Sequence, residues 1–347
     1  MSMPLRCALL KTLVLLMLSG PGLTFAAVSI VGTPKAANTV RNWGNVFSET
    51  TGIGVAYTES LEEISTAELF VGIYDLALVE YPLTEYRLRQ KGLVQFPLLA
   101  SGVAVVVNVP GIAPERLRLD APVLAAIYMG RITVWDDARI AEMNPGLVLP
   151  HLAIVPVAQS DGSAVTLNFT RYLADGSETW RQKIGLGSGL IWPLGAGEKD
   201  GVSAAKKLLA TEGAIGFQTW ASVLRFELNA VQLKNRQGVF VQPGNDIFVR
   251  TLRTYLAQER EDFSAPVNVK GTGSWPILAL IYGQTKLIPE DVPDAMETLQ
   301  MLRQVLQARV PPASGQIAVD YDDIAATLSQ VQSSKQFGPP GRRKAGP

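Results

Sequence analysis

The sequence predicts an α/β protein with largely parallel sheet and helices on both faces. Three observations carry that prediction. Short strand-like runs alternate with amphipathic helical segments along most of the chain. Gly102–Val109 (GVAVVVNV) is a continuous apolar run, as expected of a strand covered on both faces. At 347 residues and 47% hydrophobic, the chain is long enough for two domains of ordinary size.

The elements follow in order. Val28–Thr33 is apolar and β-branched, hence a strand. Asn38 is placed to cap a helix with Val40, Trp43, Val46 and Phe47 on one face, stopped at Gly52. Ile53–Tyr57 reads as a strand, Leu61–Phe70 as a helix and Leu76–Val79 as a strand. Thr84 caps a helix ended by Gly92. Asp120 with Pro122 opens another helix, and Asp136 the next, stopped by Asn144-Pro145-Gly146. Ala153–Ala158 and Ala214–Thr219 are strand-like, and a helix starts near Ser163. Met296, Leu299, Leu302, Val305 and Leu306 mark a late amphipathic helix. Ser333–Pro347 is Pro/Gly-rich and basic, which predicts a disordered tail.

The first 26 residues read as a cleavable secretory signal: basic Arg6 and Lys11, an apolar run Thr12–Leu18 too short to span a bilayer, then small residues before the cut. No transmembrane helix is expected in the mature chain. Cys7, the only cysteine, falls in this leader, so disulfides and thiol chemistry are not expected. Basic and acidic residues balance at 31 each, which gives no signature for nucleic acid.

Catalytic chemistry finds little support. His151 is the only histidine, between Pro150 and Leu152 at a strand entry, and reads as a structural turn residue. A Ser–His–Asp triad would have to use it, and one histidine without cysteine leaves no zinc site. The glycine-rich Gly185–Gly201 lacks the order of a nucleotide-binding loop. No cofactor is expected. The strongest local signal is Asp161-Gly162-Ser163, after a strand and before an apolar helix. Free backbone N–H groups, a hydroxyl and the positive end of a helix meet there, which suits an anion. An Asx turn and N-cap that merely start the helix would use the same residues.

Asp120–Phe169 contains Ile127-Tyr128-x-Gly130-x-Ile132-x-x-Trp135-Asp136-Asp137, then Asn144-Pro145-Gly146-Leu147-x-Leu149-Pro150, a strand, and Asp161-Gly162-Ser163. This order closely resembles the periplasmic phosphate-binding family of bacterial ABC importers. Lys91–Gly111 resembles that family's crossover segment. Trp192-Pro193, Gly213-Ala214-Ile215-Gly216 and Ser274-Trp275-Pro276-Ile277 fall in the same order, so the resemblance spans roughly Val28 to Gln332. It implies a two-lobed, Venus-flytrap periplasmic-binding-protein fold with hinge crossover strands. One lobe is expected over 28–108 plus 222–332 and the other over 109–221, with a small solute or anion trapped by hinge closure. Membrane subunits of an importer, or an envelope sensor, are the implied partners.

The implied ligand site departs from the family pattern. Where the family has a small hydroxyl residue and Phe, this chain has Pro34 and Lys35, with Thr33 just before. The family's Ser/Gly-rich second loop becomes Glu59-Ser60-Leu61-Glu62-Glu63 by an ungapped count from Tyr57. Glu80 stands for an Asp that accepts the proton of phosphate, and Gln159 for an Arg that pairs the oxyanion. Ala164-Val165 replaces Gly-Thr. Only Asp161, Gly162 and Ser163 match. The expected ligand-binding residues are therefore Thr33, Lys35, Glu80, Gln159, Asp161, Gly162 and Ser163, with phosphate affinity weak or lost. Glutamates in the cleft would repel a dianion, by roughly 4 kcal/mol per charge pair at about 4 Å. The alternative is a fold that has lost its ligand and serves as an interaction module in the cell envelope.

Overall fold

The computed structural model describes residues 28–194, 197–258, 266–289 and 291–334. The expected leader and residues 335–347 lie outside them. The chain opens with β1 (Val28–Gly32), a single 3-10 turn (Pro34–Ala36), α1 (Ala37–Thr51) and β2 (Val55–Glu59). It continues through α2 (Glu62–Phe70), β3 (Leu76–Val79), α3 (Glu85–Lys91) and the long β4 (Leu93–Asn108). Beyond it come β5 (Arg118–Leu119), α4 (Ala121–Tyr128), α5 (Ala138–Met143), β6 (Val155–Pro156), α6 (Ala164–Gly176) and α7 (Glu178–Lys183). Next are α8 (Gly201–Ala210), β7 (Ala214–Thr219), α9 (Trp220–Phe226), β8 (Asn229–Ala230), β9 (Gln232–Lys234) and β10 (Phe240–Val241). The chain ends with α10 (Asn245–Leu256), β11 (Leu278–Lys286), α11 (Val292–Gln307), β12 (Ile317–Ala318) and α12 (Tyr321–Ser334).

These strands build one mixed sheet in the order β2-β1-β3-β11-β4-β7-β6, with β12 and β8 also on β4, and a small sheet β10-β9-β5. Strand β4 belongs to both halves. Its residues Leu93–Gly102 pair with β11, and Val103–Asn108 pair with β7. All but two of its sixteen residues are buried, which explains the unbroken apolar run. Pro97 is tolerated inside it because the register shifts between Ile281 and Tyr282 of the partner strand. The result is a two-lobed α/β architecture with β4 running through both lobes.

On this pairing we propose the lobes as 28–102 plus 245–334 and 103–241, in place of the boundaries at 108 and 221 expected from the sequence. Strand β8 bonds to Val106 and Val107, and β9 to β5, so the chain beyond residue 222 stays in the second lobe. It returns with α10, whose Phe248 lies against Gly102.

Several element ends move for identifiable reasons. The first helix is capped not at Asn38 but through Thr33, whose hydroxyl receives Lys35 N at 3.4 Å and starts the 3-10 turn. Asp137, not Asp136, caps α5; Asp136 is taken by His151 at 2.8 Å. The strand expected at Ala153–Ala158 shrinks to Val155–Pro156, because Ala153 bridges to Val134 instead. The last helix runs to Ser334, two residues into the expected tail. The caps at Thr84, Asp120 and Ser163 and the stops at Gly52 and Gly92 lie where the sequence puts them. No helix among the described residues is long and apolar enough to cross a membrane.

Candidate functional site

The first lobe brings the carboxyl ends of β1 and β3 to one edge. The two strands run parallel, with Gly32 opposite Leu78. A Cβ at Gly32 would lie 2.4 Å from the Leu78 carbonyl oxygen, so glycine is what lets them approach. Thr33 N donates to Leu78 O at 3.0 Å, which fixes Thr33 beside the residue that follows Val79. Tyr57 donates its hydroxyl to Thr33 O at 2.6 Å. Burial first, then the charge of Glu59, raises the Tyr57 pKa, so that phenol stays a neutral donor.

Glu80 is the residue that this edge presents. Its Oε1 accepts from Thr33 Oγ1 at 2.8 Å and its Oε2 from Lys35 Nζ at 2.7 Å. A third donor comes from the other lobe: Ala164 N, at the start of α6, lies 3.3 Å from Oε2. The Glu80 side chain is 10% exposed, so solvent competes little for these bonds. A carboxylate thus sits where a hydroxyl, an ammonium and a helix N-terminus converge. Those are the groups that bind an oxyanion.

Asp161-Gly162-Ser163 supplies the other side. Asp161 Oδ1 accepts from Ser163 N and Thr166 Oγ1, each at 3.1 Å. Gly162 adopts a positive φ of 68° and its carbonyl accepts from the Tyr81 hydroxyl, a second contact between the lobes. Ser163 Oγ caps α6 by accepting from Thr166 N at 3.5 Å. The segment is an Asx turn with an N-cap, and the helix end that it starts meets the protein's own Glu80 carboxylate. Beneath it, Tyr128, Phe169, Trp192 and Phe217 form a buried aromatic cluster, with Phe169 and Phe217 stacked at 4.2 Å.

The structure brings Thr33, Lys35 and Glu80 together across from Asp161, Gly162 and Ser163. Gln159 is placed elsewhere. It is 2% exposed, and its Nε2 donates into the second lobe, to Phe217 O at 2.6 Å. Its carbonyl accepts from Trp192 Nε1. Among the described residues no guanidinium hydrogen-bonds to Glu80 in its place. At the end of β2, Glu59 pairs with Arg41 at 2.7 Å; at the start of α2 the side chains of Glu62 and Glu63 lie outside the described residues. The exposed ring of His151 pairs with Asp136. Among the described residues no group of three or more His, Cys, Asp or Glu side chains gathers as a metal site.

The sequence profile described as "PBP superfamily domain" matches residues 19–274. The chain is 34% identical over 259 residues to the phosphate-binding protein PstS of Xylella fastidiosa strain Temecula1, covering 74% of this chain and 70% of that protein. It is 32% identical over 238 residues to PstS of Haemophilus influenzae, covering 68% and 71%. This chain belongs to the PstS-like phosphate-binding-protein family. The fold agrees. An ABC-type phosphate transport receptor from Vibrio cholerae superposes with a TM-score of 0.51 at 17% identity, over 80% of this chain and 93% of the other. An ancestral soluble variant of the human phosphate binding protein gives 0.61 at 14%, over 91% and 100%.

Within this family frame, the sequence reading missed residues that border the site. Tyr81 follows Glu80 and closes onto Gly162. Gln316 Nε2 donates to Lys35 O at 2.8 Å, holding the turn that carries the lysine. Arg225 and Ser222, on α9, face the same cleft. The Thr219–Ser222 spacing, a hydroxyl three residues before a serine whose N–H it caps, was the available signal for α9.

Proposed function

We propose that this chain is a periplasmic solute receptor of an ABC importer whose cleft no longer takes phosphate tightly. The observation that supports it is the Glu80 carboxylate, which accepts from Thr33, Lys35 and the α6 N-terminus. A phosphate dianion entering there would have to displace a charge of its own sign, and the family's arginine is Gln159, turned inward. The residues 1–26 would direct export to the periplasm. Binding and closure about β4 near Gly102, without covalent chemistry, would present a small solute to membrane subunits or an envelope sensor.

The test is calorimetric titration of the phosphate-stripped protein. The expected dissociation constant for phosphate is weaker than about 1 mM, a binding free energy smaller than about 4 kcal/mol. Submicromolar binding would sink the reading.

The two bonds that tie the lobes, Glu80 to Ala164 and Tyr81 to Gly162, favour a second reading. A protein that closes on its own carboxylate needs no solute and would act as an envelope interaction module. It predicts a scattering profile unchanged by any solute.

A further inference from the structure

Next to Glu80, between the lobes, lies a cavity of about 450 Å³. That falls in the range of roughly 300–1,000 Å³ typical of small-molecule sites. At about 30 Å³ per water it equals some fifteen waters, whereas a phosphate has five heavy atoms. The space is thus too large for the small anion that the Glu80 cradle would fit.

Its floor is apolar. Leu99 and Ala100 of β4 and Leu280 and Ile281 of β11 border it, each under 10% exposed, and Val165 of α6 closes the other side. The rim is polar. Asn38 and Ser314 border it with no side-chain hydrogen bond among the described residues, and Arg225 stands there with no ion pair among them. The Arg225 guanidinium lies 5.2 Å from the Phe226 ring, a contact that leaves its N–H donors open.

The charges decide the ligand class. Lys35 and Glu80 also border the cavity, but at 2.7 Å they neutralise each other. The remaining charge is the single positive one of Arg225. A planar guanidinium matches a carboxylate with two parallel hydrogen bonds. A second negative charge on the ligand would find no cation of its own, because Lys35 is held by Glu80. A sugar would leave its hydroxyls unpaired against the Leu99–Leu280 floor.

We propose that this cavity binds an organic monocarboxylate with an aliphatic or aromatic body, its carboxylate on Arg225 and its body on the β4–β11 floor. The inference rests on the solute-receptor reading of the same cleft.

The experiment titrates the full chain with acetate, butanoate, hexanoate, benzoate, hexanol and phosphate. Affinity is expected to rise about fourfold per methylene from acetate to hexanoate. Hexanol should bind at least tenfold more weakly than hexanoate. Arg225→Gln should weaken hexanoate at least tenfold while leaving the melting temperature unchanged, because Arg225 is exposed. Ser222→Trp should block the cavity and abolish hexanoate binding; it keeps the cap that Thr219 Oγ1 gives to the residue 222 N–H. Absence of saturation by any carboxylate at millimolar concentration overturns the proposal, as does hexanoate binding indifferent to Arg225→Gln. Phosphate in the same series separates the two readings. Tight phosphate binding defeats the altered-cleft function, whereas weak phosphate with flat carboxylate responses defeats only the monocarboxylate.

Discussion

Replacing Glu80 by alanine should give this protein phosphate affinity. In the wild type a unit negative charge and the Lys35 charge cancel at the edge of β1 and β3. Removing the carboxylate leaves Thr33 Oγ1, Lys35 Nζ and Ala164 N as three unpaired donors around one vacancy. A unit charge about 4 Å away contributes roughly 4 kcal/mol at an effective dielectric near 20, and a dianion doubles that. Lys35 is 36% exposed, so solvent and salt take back a large part. About 3–4 kcal/mol is a reasonable remainder, a gain of a hundredfold to several hundredfold. The assay is calorimetry on phosphate-stripped Glu80→Ala at low and at 0.5 M salt, with circular dichroism to check the fold. The gain should shrink at high salt. Glu80→Asp, one methylene shorter, should withdraw the carboxylate from Ala164 N and give an intermediate gain. A folded Glu80→Ala with no more affinity than wild type would refute the view that Glu80 blocks the site.

Other consequences follow from the same contacts. Ser163→Ala removes the α6 cap and should lower stability by about 1 kcal/mol, read from the urea midpoint; an unchanged midpoint would show that Asp161 alone suffices. Gly102→Ala would put a Cβ within 2.3–2.6 Å of three Phe248 ring atoms, costing about 1–3 kcal/mol; Phe248→Leu in the same chain should recover part of that, as a double-mutant cycle would show. Burial first, then the neighbouring Asp320, raises the Asp323 pKa, so the folded protein holds that proton more tightly than the unfolded chain. Stability from this group falls as pH rises through its raised folded value. Asp323→Asn should therefore stabilise the protein at neutral pH, with the advantage vanishing as pH drops below the ordinary carboxylate range; an advantage independent of pH in urea titrations would exclude this cause.

Most helix ends in both lobes were legible because their signals are local. Thr84, Asp120 and Ser163 announce helices with a side chain that can receive an N–H three residues on, and Gly52 and Gly92 end them in the left-handed region. The apolar run at Gly102–Val109 was legible as a buried strand, but not its start at Leu93. Polar Gln95 and Pro97 break the pattern, yet Gln95 pairs with Gln284 in the interior and a register shift absorbs Pro97. The segments after Thr219 were harder. Strands of two or three residues, such as β8 and β10, carry no periodicity and exist only because β4 and β9 offer a partner.

The site was legible in residue type but not in reach. The sequence says that an acid stands at position 80 and a lysine at position 35; it does not say that the two bond to each other and to the opposite lobe. The resemblance puts an aspartate at position 80; glutamate is one methylene longer, and its carboxylate here reaches Ala164 N of the opposite lobe. Gln159 makes the same point in reverse. The resemblance puts an arginine at this place, whereas the Gln159 amide is turned to the Phe217 carbonyl, beside Trp192 in the aromatic core. A buried amide that satisfies the backbone in this way costs less than a buried guanidinium without a partner. Restoring Arg at 159 alone would thus add a charge to the second lobe without clearing Glu80 from the first, and affinity for phosphate should follow position 80.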